Sequence, residues 1–532
     1  MADYYIGIDV GTGSARAGVF DAAGRMLGSA KREIAIFHAS GGVVEQSSAD
    51  IWAAVCTSVR GAMAEAGTDP AEVKGIGFDA TCSLVVLGPG GAPLAVGPSE
   101  DPARDIIVWM DHRAVEQADR INATAAGVLA YVGGAISPEM ETPKLLWLRE
   151  NRPATFDAAW QFLDLTDFLT WKATGSLARS SCTVTCKWTY LAHERRWDPA
   201  YFRAIGLGGL ADEGFVRIGV EVVDPGAPLG QGLTAAAASE LGLAPGTAVA
   251  AGLIDAHAGG VGTVGALGDP TRAMAYVFGT SSCTMTTTRE PVFVPGVWGP
   301  YFSAMVPGMW LNEGGQSAAG AAIDQLVAFH PAAAEAARLA AAEGRSLPEW
   351  LAARAEAGGR SEAIGLARGL HVVPEFLGNR APFADPHARA AIAGLGMERD
   401  VASLVALYVA GLAGLGYGLR QIIETQAEHG APVEVIAISG GAGRHPLIRQ
   451  ILADATGLPV VGTEAEEPVL LGSAILGAVA AGGAPGIPAA MAAMSRVAVT
   501  AEPAGGAIAA IHARRYAAFR ALQRTARELE RE

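Results

Sequence analysis

Lysine and charge are scarce in this sequence of 532 residues, and the lysine motif of many ATP-binding proteins is absent. Charged residues make up 17% of the chain, and its only lysines are Lys31, Lys74, Lys144, Lys172 and Lys187. No lysine follows a glycine, so the Gly-Lys-Ser/Thr end of a P-loop is missing. Half of the residues are hydrophobic, which excludes a disordered chain, and the length of 532 residues predicts two or more domains with full cores.

Cysteine is also rare, with five residues: Cys56, Cys82, Cys182, Cys186 and Cys283. The number is odd and no Cys-x-x-Cys pair occurs, so we expect neither a disulfide framework nor a zinc site. Reduced thiols in a cytosol are the expectation. The N-terminus lacks the basic and apolar regions of a signal peptide, so we expect a cytoplasmic protein.

Positive charge is in deficit, since the formal net charge is −15. This argues against nucleic acid or an anionic membrane as the main partner, although a local basic pocket for a phosphorylated ligand stays open. The stretch 401–419 carries no charge and is long enough to span a bilayer. It lacks aromatic belts and basic flanking loops, and three of its glycines share one helical face: Gly411, Gly414 and Gly418. We therefore predict a helix over 401–428, buried along its apolar part and polar at its end, and no membrane partner.

Strands alternate with helices along the chain, which predicts an α/β fold. The opening hairpin has strands at 4–8 and 15–20 around the turn Asp9-Val10-Gly11-Thr12-Gly13-Ser14. A second hairpin has strands at 273–278 and 283–287 around Gly279-Thr280-Ser281-Ser282. Both turns have the form Gly-Thr-x-Ser, which predicts two related halves joined roughly at residues 255–270.

Other elements are predicted from periodicity and capping residues. A helix over 48–66 begins with Ser48 or Asp50 as its cap. Residues 156–172 are predicted as helical, and 247–254 as one buried strand.

Glycine-containing turns follow three strands, at 9–14, 279–282 and 439–443. Such turns direct backbone N–H groups at phosphate oxygens, and an acid such as Asp9 at a strand end can bind Mg²⁺. These turns predict a nucleotide held between the halves; the alternative is that the glycines only satisfy the turns. The one Gly-x-Gly-x-x-Gly, at residues 260–265, lies inside a predicted helix, so we interpret it as helix packing.

Asp255 ends a buried strand and begins a helix. It is either a helix cap or an ionised base that takes a hydroxyl proton during phosphoryl transfer, and the two roles are compatible. We interpret the nearby His257 as a packed histidine. Further polar residues near strand ends or turns could form a sugar pocket or be merely solvated or paired: Asp79, Cys82, Asp111, Lys187 and Glu313.

Several motifs together resemble the FGGY carbohydrate kinases, in the order in which that family has them. They are Asp9-Val10-Gly11-Thr12-x-Ser14-x-Arg16, Ile254-Asp255-Ala256-His257-Ala258-Gly259-Gly260, Gly279-Thr280-Ser281-Ser282, Glu313-Gly314-Gly315-Gln316-Ser317-Ala318 and Ser439-Gly440-Gly441. Thr81-Cys82-Ser83-Leu84-Val85 resembles the D-ribulokinase group, and Cys186-Lys187-Trp188 resembles the ribulokinase segment whose lysine contacts the sugar.

This resemblance implies two ribonuclease-H-like domains of the actin and sugar-kinase type with a cleft between them, here 1–259 and 260–532. It implies Asp255 as catalytic base, and Asp9 and Asp255 near Mg²⁺. It also implies that the sugar contacts Cys82, Lys187, Asp255 and Glu313. The implied nucleotide-binding residues are Gly11, Thr12, Ser14, Arg16, Gly279, Thr280, Ser281, Gly440, Gly441, Ala442 and His445. At His445 the family usually has asparagine, which puts the adenine-side contact in doubt.

The activity implied is that of an ATP- and Mg²⁺-dependent kinase that phosphorylates the terminal hydroxyl of a pentulose, foremost D-ribulose. L-ribulose, xylulose or a pentitol as substrate stays open, as does a non-kinase nucleotide-dependent binding protein on the same fold. The expected partners are a sugar and ATP, with a homodimer left open. A dinucleotide-dependent oxidoreductase is disfavoured, because no acid follows the glycines at the required spacing.

Overall fold

The computed structural model describes residues 3–530, except for the side chain of Ala442. Its first half is built on strands β1 to β13, which are Tyr4–Val10, Ser14–Asp21, Met26–Glu33, Phe37–Ala39, Val43–Gln46, Val73–Ala80, Leu84–Leu87, Ile106–Ile107, Gln161–Asp164, Arg179–Ser180, Val222–Val223, Ala248–Val249 and Leu253–Ile254. Its second half is built on β14 to β22, which are Ala273–Phe278, Ser282–Thr288, Trp298–Phe302, Trp310–Gln316, His371–Val373, Ala391–Ala393, Val435–Ser439, Val460–Thr463 and Val497–Ala501.

Helices cover these sheets. In chain order α1 to α10 are Ser48–Ala66, Val115–Asn122, Glu141–Asn151, Pro153–Ala158, Leu165–Thr174, Ser181–Trp188, Pro199–Ala204, Gly208–Asp212, Ala235–Leu241 and Asp255–Val264. Helices α11 to α18 are Gly320–Ala328, Ala333–Ala342, Leu347–Ala355, Val401–Glu428, Pro446–Thr456, Pro468–Ala480, Ile487–Met494 and Gly506–Leu529.

The two main sheets repeat one another. In the first, the order is β12-β6-β1-β2-β3, with β13 also paired to β6. β1 runs antiparallel to β2 and parallel to β6. In the second, the order is β16-β17-β15-β14-β20-β21-β22, where β14 runs antiparallel to β15 and parallel to β20. The prediction of an α/β fold with two related halves is confirmed.

Two sequence predictions are wrong in detail. Within 156–172, residues Gln161–Asp164 form strand β9, which pairs with β7 and separates helices α4 and α5. The short apolar run at 161–164 fits the periodicity of a helix or of a strand, and pairing with β7 makes it a strand. Residues 247–254 form two short strands, because the chain leaves the sheet edge between them.

Helix caps also differ from the predictions. Ser47, one residue before the predicted candidates, caps α1 by accepting a hydrogen bond from the Asp50 N–H. Asp255 is the first residue of α10, whose cap position is Ile254. Residues 180–190, to which no element was assigned, contain helix α6.

Helices α10 and α16 cross at the junction of the halves, with their backbones in contact. A Cβ at Gly262 would lie 2.0 Å from the Pro468 carbonyl oxygen, and one at Gly472 would lie 1.9 Å from that of Ala258. The interpretation of the 260–265 glycines as packing residues is therefore confirmed. Helix α16 also rests on β1, where a Cβ at Gly7 would meet the Leu470 carbonyl oxygen at 1.8 Å. The predicted boundary between residues 259 and 260 falls inside α10.

Helix α14 is the one helix in the described part of the chain that is long and apolar enough to cross a membrane, and 72% of its apolar window is buried in the protein. Its glycines face neighbouring elements: a Cβ at Gly414 would lie 2.4 Å from the Val372 carbonyl oxygen. The prediction of a buried helix is confirmed.

Candidate active site

A cavity of about 270 Å³ opens between the two halves, and we call it the cleft cavity. Both halves line it. Nine of the predicted site residues are on its wall: Asp9, Gly11, Thr12, Arg16, Cys82, Lys187, Asp255, Ser281 and Glu313. The structure thus brings together candidates that lie up to 304 positions apart in the sequence, although their individual roles stay predictions.

The two Gly-Thr turns have similar backbone geometry. The Gly11 N–H donates to the Ser14 carbonyl oxygen at 3.0 Å, and the Gly279 N–H donates to that of Ser281 at 2.9 Å. The hydroxyl of Thr12 accepts a hydrogen bond from Trp109 Nε1 at 2.9 Å, which fixes the first turn. Residues 279–281 of the second turn are exposed to solvent, whereas Ser282 is buried. Each turn is short and glycine-containing, as a concave phosphate-binding backbone requires.

Three carboxylates lie near one another, of which Asp9 and Asp255 line the cleft cavity and Asp79 is fully buried. Asp9 and Asp79 are register partners on β1 and β6, and Asp255 follows β13, which pairs with β6. Burial, followed by the charge of Asp9, raises the pKa of Asp255 to about 6 and that of Asp79 well above its ordinary value. Arg16 forms an ion pair with Asp9 and another with Glu467 at 2.8 Å.

This donor set fits a divalent cation. Asp79 Oδ2 accepts a hydrogen bond from Ser473 Oγ at 2.5 Å, whereas Asp79 Oδ1 is buried and has no partner within the described residues. Carboxylate oxygens are the ligands that Mg²⁺ prefers, and like charges this close need a counter-charge. The sequence placed Asp79 among the sugar candidates, and the structure places it beside Asp9 instead.

Lys187 and Glu313 form the other wall of the cleft cavity. Both are almost fully buried, with relative exposures of 4% and 5%. Burial disfavours the charge on each, but the Lys187 charge and a His257 hydrogen bond hold the pKa of Glu313 at about 2. Burial lowers the pKa of Lys187, whereas nearby Cys82 and Glu313 raise it, and the net shift is upward. Cys82 itself is buried, and burial raises its thiol pKa to about 12.

Some lining residues were missed by sequence reasoning. Arg380 comes from the loop after β18 and donates to Cys283 Sγ at 3.3 Å. Its guanidinium and the Lys187 ammonium both lie 4.8 Å from the centre of the Trp298 ring. Trp109 and Glu139 also line the cavity. None of these residues stands in a turn of recognisable form, so no local pattern indicated them.

Gly441 and His445 line a different cavity of about 290 Å³, next to the turn at 279–282. This second cavity contains Gly320, whose N–H donates to the Gly279 carbonyl oxygen at 3.0 Å. Gly440 has φ +89°, and a Cβ there would lie 2.3 Å from the Phe278 carbonyl oxygen, so only glycine fits. Ala442 lies in the short helix Ala442–Arg444, and its side chain is outside the described part.

His445 caps helix α15, because its Nδ1 accepts a hydrogen bond from the Leu447 N–H at 3.2 Å. Asparagine caps helices through a side-chain oxygen at a similar reach. The imidazole therefore fills the capping position that asparagine would fill. It also lies on the wall of the second cavity.

Asp111 does not belong to the cleft. It is buried, forms an ion pair with Arg113 at 2.7 Å and accepts a hydrogen bond from the Val44 N–H at 2.6 Å. These contacts hold Asp111 outside the cleft cavity.

The sequence was compared with protein families and curated proteins, and the fold with solved structures. The N-terminal domain model of the FGGY family of carbohydrate kinases matches residues 4–262, and the C-terminal domain model matches 274–481. The chain is 47% identical to the human FGGY carbohydrate kinase domain-containing protein, over 90% of this chain and 89% of the relative. It is 39% identical to a D-ribulokinase of Saccharomyces cerevisiae, over 90% and 72%.

The fold resembles that of xylulose kinase from Rhodospirillum rubrum, with a TM-score of 0.80 and 23% identity over 99% of this chain and all of the other. The predicted two-domain sugar-kinase fold is confirmed. From these matches, the chain belongs to the FGGY family of carbohydrate kinases.

Proposed function

We propose that this protein is an ATP-dependent pentulose kinase that converts D-ribulose to D-ribulose 5-phosphate. The observation that carries the proposal is the composition of the cleft cavity. One cavity is lined by a carboxylate at a helix start, Asp255, by the buried and oppositely charged side chains of Lys187 and Glu313, and by parts of both Gly-Thr turns. Among the pentuloses, we choose D-ribulose because the chain is 39% identical to the yeast D-ribulokinase.

Asp255 is the proposed base. With a pKa of about 6 it is mostly ionised at neutral pH, and its Oδ1 accepts the Ala256 N–H at 2.7 Å, which fixes the carboxylate at the start of α10. The carboxylate accepts the proton of the terminal hydroxyl as the bond to phosphorus forms. Because phosphoryl transfer depends mainly on positioning and charge neutralisation, a base of this strength suffices.

Lys187 and Glu313 are the proposed sugar contacts. The ammonium donates to sugar oxygens, and the ionised carboxylate accepts from sugar hydroxyls. Both groups are held in a nearly water-free wall, where hydrogen bonds to a charged group are strong. Trp298 supports Lys187 from behind through its ring face.

The nucleotide occupies the space between the two turns, with its base and ribose toward the second cavity. Bound ATP supplies the phosphoryl group, and Mg²⁺ supplies the positive charge that the phosphates require. Asp9, Asp79 and Asp255 are the residues that would hold the metal. The exposed backbone at 279–281 and the Gly11–Thr12 backbone would bind the phosphates.

The test is a panel of D-ribulose, L-ribulose, D-xylulose and ribitol, with ADP release as the readout. We expect D-ribulose to give the highest kcat/KM. If no pentulose or pentitol raises ADP release above the background hydrolysis rate, the proposal fails. Sugar-independent ATP hydrolysis would instead indicate a nucleotide-dependent binding protein.

A further inference from the structure

A buried chain of hydrogen bonds runs behind the sugar wall, through residues that the proposed mechanism does not use. Cys182 Sγ on α6 lies 3.1 Å from His257 Nδ1 on α10. The other ring nitrogen, Nε2, lies 3.3 Å from Glu313 Oε2 on β17. The Cys182 and His257 side chains are fully buried, so the ring is held at both ends between a sulfur and a carboxylate. We call these three residues the Cys-His-Glu relay.

We infer that Cys182 and His257 are positioning residues for substrate binding: they fix the Glu313 carboxylate so that its free edge faces the sugar hydroxyls. The inference rests on the proposed kinase function for the role of Glu313. Sequence reasoning interpreted His257 as a packed histidine, and its burial agrees. Both ring nitrogens, however, have side-chain partners, and one of these is the proposed sugar-binding acid.

The hydrogen bond to His257 leaves one side of the Glu313 carboxylate free. Its Oε2 is engaged by the imidazole from the protein side, while the residue also lines the cleft cavity. A carboxylate offers about four lone-pair sites, so its remaining sites are available to hydroxyl groups in the cavity. A carboxylate held by one fixed donor loses less conformational entropy when a sugar binds than one that is free to rotate.

The relay is also tied to the catalytic end of the cleft. Cys182 Sγ accepts a hydrogen bond from the Ile254 N–H at 3.4 Å, and Ile254 immediately precedes Asp255. The same sulfur therefore contacts the backbone that positions the proposed base and the imidazole that positions the sugar-binding acid. This shared contact sets the spacing between the two carboxylates.

A metal ion is the competing explanation for part of this cluster. The ligand atoms of Cys182, Cys186 and His257 all lie within 4.8 Å of one another. The hydrogen bonds already account for both ring nitrogens and for Cys182, and a cation there would lie close to the Lys187 ammonium. Atomic emission on the purified enzyme distinguishes the two, since about one zinc or copper per chain would overturn the relay.

The first experiment compares sugar and nucleotide kinetics of Cys182→Ser with those of the wild type. We expect the KM for D-ribulose to rise tenfold or more, because the shorter serine side chain weakens the contact that holds the imidazole against Glu313. The KM for ATP should change less than about twofold, since the relay does not touch the turns. Cys56→Ser, on α1 far from the relay in the sequence, is the matched control and should match the wild type in both constants. An equal sugar KM in wild type and Cys182→Ser would overturn the inference.

A double-mutant cycle separates positioning from a general structural role. If Cys182 acts through Glu313, then adding Cys182→Ser to Glu313→Gln should raise the sugar KM by less than about twofold. Independent, multiplying effects would show that Cys182 acts by another route and would overturn the inference. If the melting temperature of Cys182→Ser shows that this variant does not fold, His257→Gln replaces it in the same double-mutant cycle. Its amide nitrogen can still donate to Glu313, so we expect a smaller rise in KM than for His257→Ala.

The outcomes for the two proposals are distinct. If the wild type phosphorylates a pentulose and the relay variants keep its sugar KM, only the relay is contradicted. If the wild type phosphorylates no pentulose or pentitol, the proposed function fails, and the relay's role in sugar binding fails with it.

Discussion

At the scale of single residues, the position of Asp255 between a strand and a helix explains its proposed chemistry. The buried strand β13 ends there and helix α10 begins, so the carboxylate points from a rigid junction into the cleft. Burial and the neighbouring Asp9 charge raise the pKa of Asp255 to about 6, while the Ala256 N–H at the helix N-terminus opposes this rise.

The substitution Asp255→Asn should lower kcat by a factor of about 10² or more, because general-base catalysis is lost while the shape of the side chain is kept. Sugar binding should stay within about tenfold of the wild type, since Lys187 and Glu313 remain. Rapid-quench kinetics and calorimetric titration with D-ribulose measure the two quantities.

Asp400→Asn is the matched control for this substitution. Asp400 caps α14 by accepting a hydrogen bond from the Ser403 N–H, and asparagine caps helices equally well. Its kcat should equal that of the wild type. A fully active Asp255→Asn enzyme would remove Asp255 from the role of base.

At the scale of elements, the crossing of α10 and α16 joins the two halves. Gly472→Ala should destabilise the protein by about 2–3 kcal/mol, because the new methyl group would lie 1.9 Å from the Ala258 carbonyl oxygen and the helices must separate. Urea denaturation measures the loss.

Gly209→Ala in α8 is the control for a helical glycine with open space, since no atom lies within 4 Å of its added Cβ. It should be neutral or stabilise by up to about 1 kcal/mol, as expected from helix propensity. Equal effects of the two substitutions would contradict the close crossing.

The packing of α18 on α14 predicts a pH dependence of stability. His512 on α18 is buried, its Nδ1 lies 3.0 Å from the Tyr417 hydroxyl, and burial lowers its pKa to about 4. Its unfolded pKa is near 6.5, so the unfolded chain binds the proton more tightly, and stability is lost as pH falls from 6.5 toward 4.

Relative to His512→Gln, the wild type should lose about 2 kcal/mol of unfolding free energy between pH 7 and pH 4.5. Urea denaturation of both proteins at the two pH values measures this difference. A difference that does not change with pH would show that the folded protein binds the His512 proton as the unfolded chain does.

Secondary structure was predicted correctly where the local periodicity and the packing partners favour the same element. It was predicted wrongly where the two favour different elements. Helix α14 has the predicted bounds 401–428, because the spacing of its apolar residues and glycines fits a packed helix and no other element. Strand β9 was missed because its four residues carry too little periodicity, and only pairing with β7 makes them a strand. The break between β12 and β13 likewise depends on β6, which no local pattern reveals.

At the scale of the whole molecule, the candidate site was predictable where residues stand in turns or at strand ends. The Gly-Thr turns and Asp255 were found in this way, whereas Lys187 lies in α6 and Glu313 within β17, and their roles were indicated by the family resemblance; the fold brings all of them to the cleft. Arg380, Trp298 and the Cys182–His257 contact could not be found, because they depend on how loops and helices meet in space. Asp111 is paired with Arg113 and does not line the cleft cavity.

The two halves contact each other where α10 crosses α16, and the cleft cavity lies between them. We expect this cleft to close when its ligands bind. We expect D-ribulose together with a non-hydrolysable ATP analogue to reduce the radius of gyration, because both halves contribute residues to the cleft cavity. Closure would also exclude water, which otherwise accepts the phosphoryl group. Small-angle scattering measures the change, and an unaltered radius with both ligands bound would contradict closure.

The identity of the product decides whether the cleft works as a pentulose kinase. Purified enzyme is incubated with D-ribulose, ATP and Mg²⁺, and the product is examined by ¹H–³¹P correlation NMR. We predict equal amounts of ADP and a sugar phosphate whose phosphorus couples to the protons of the terminal carbon, formed at least about 10²-fold more slowly by Asp255→Asn. ADP without a sugar phosphate, or phosphate on another carbon, would contradict the proposed position of Asp255 against the terminal hydroxyl.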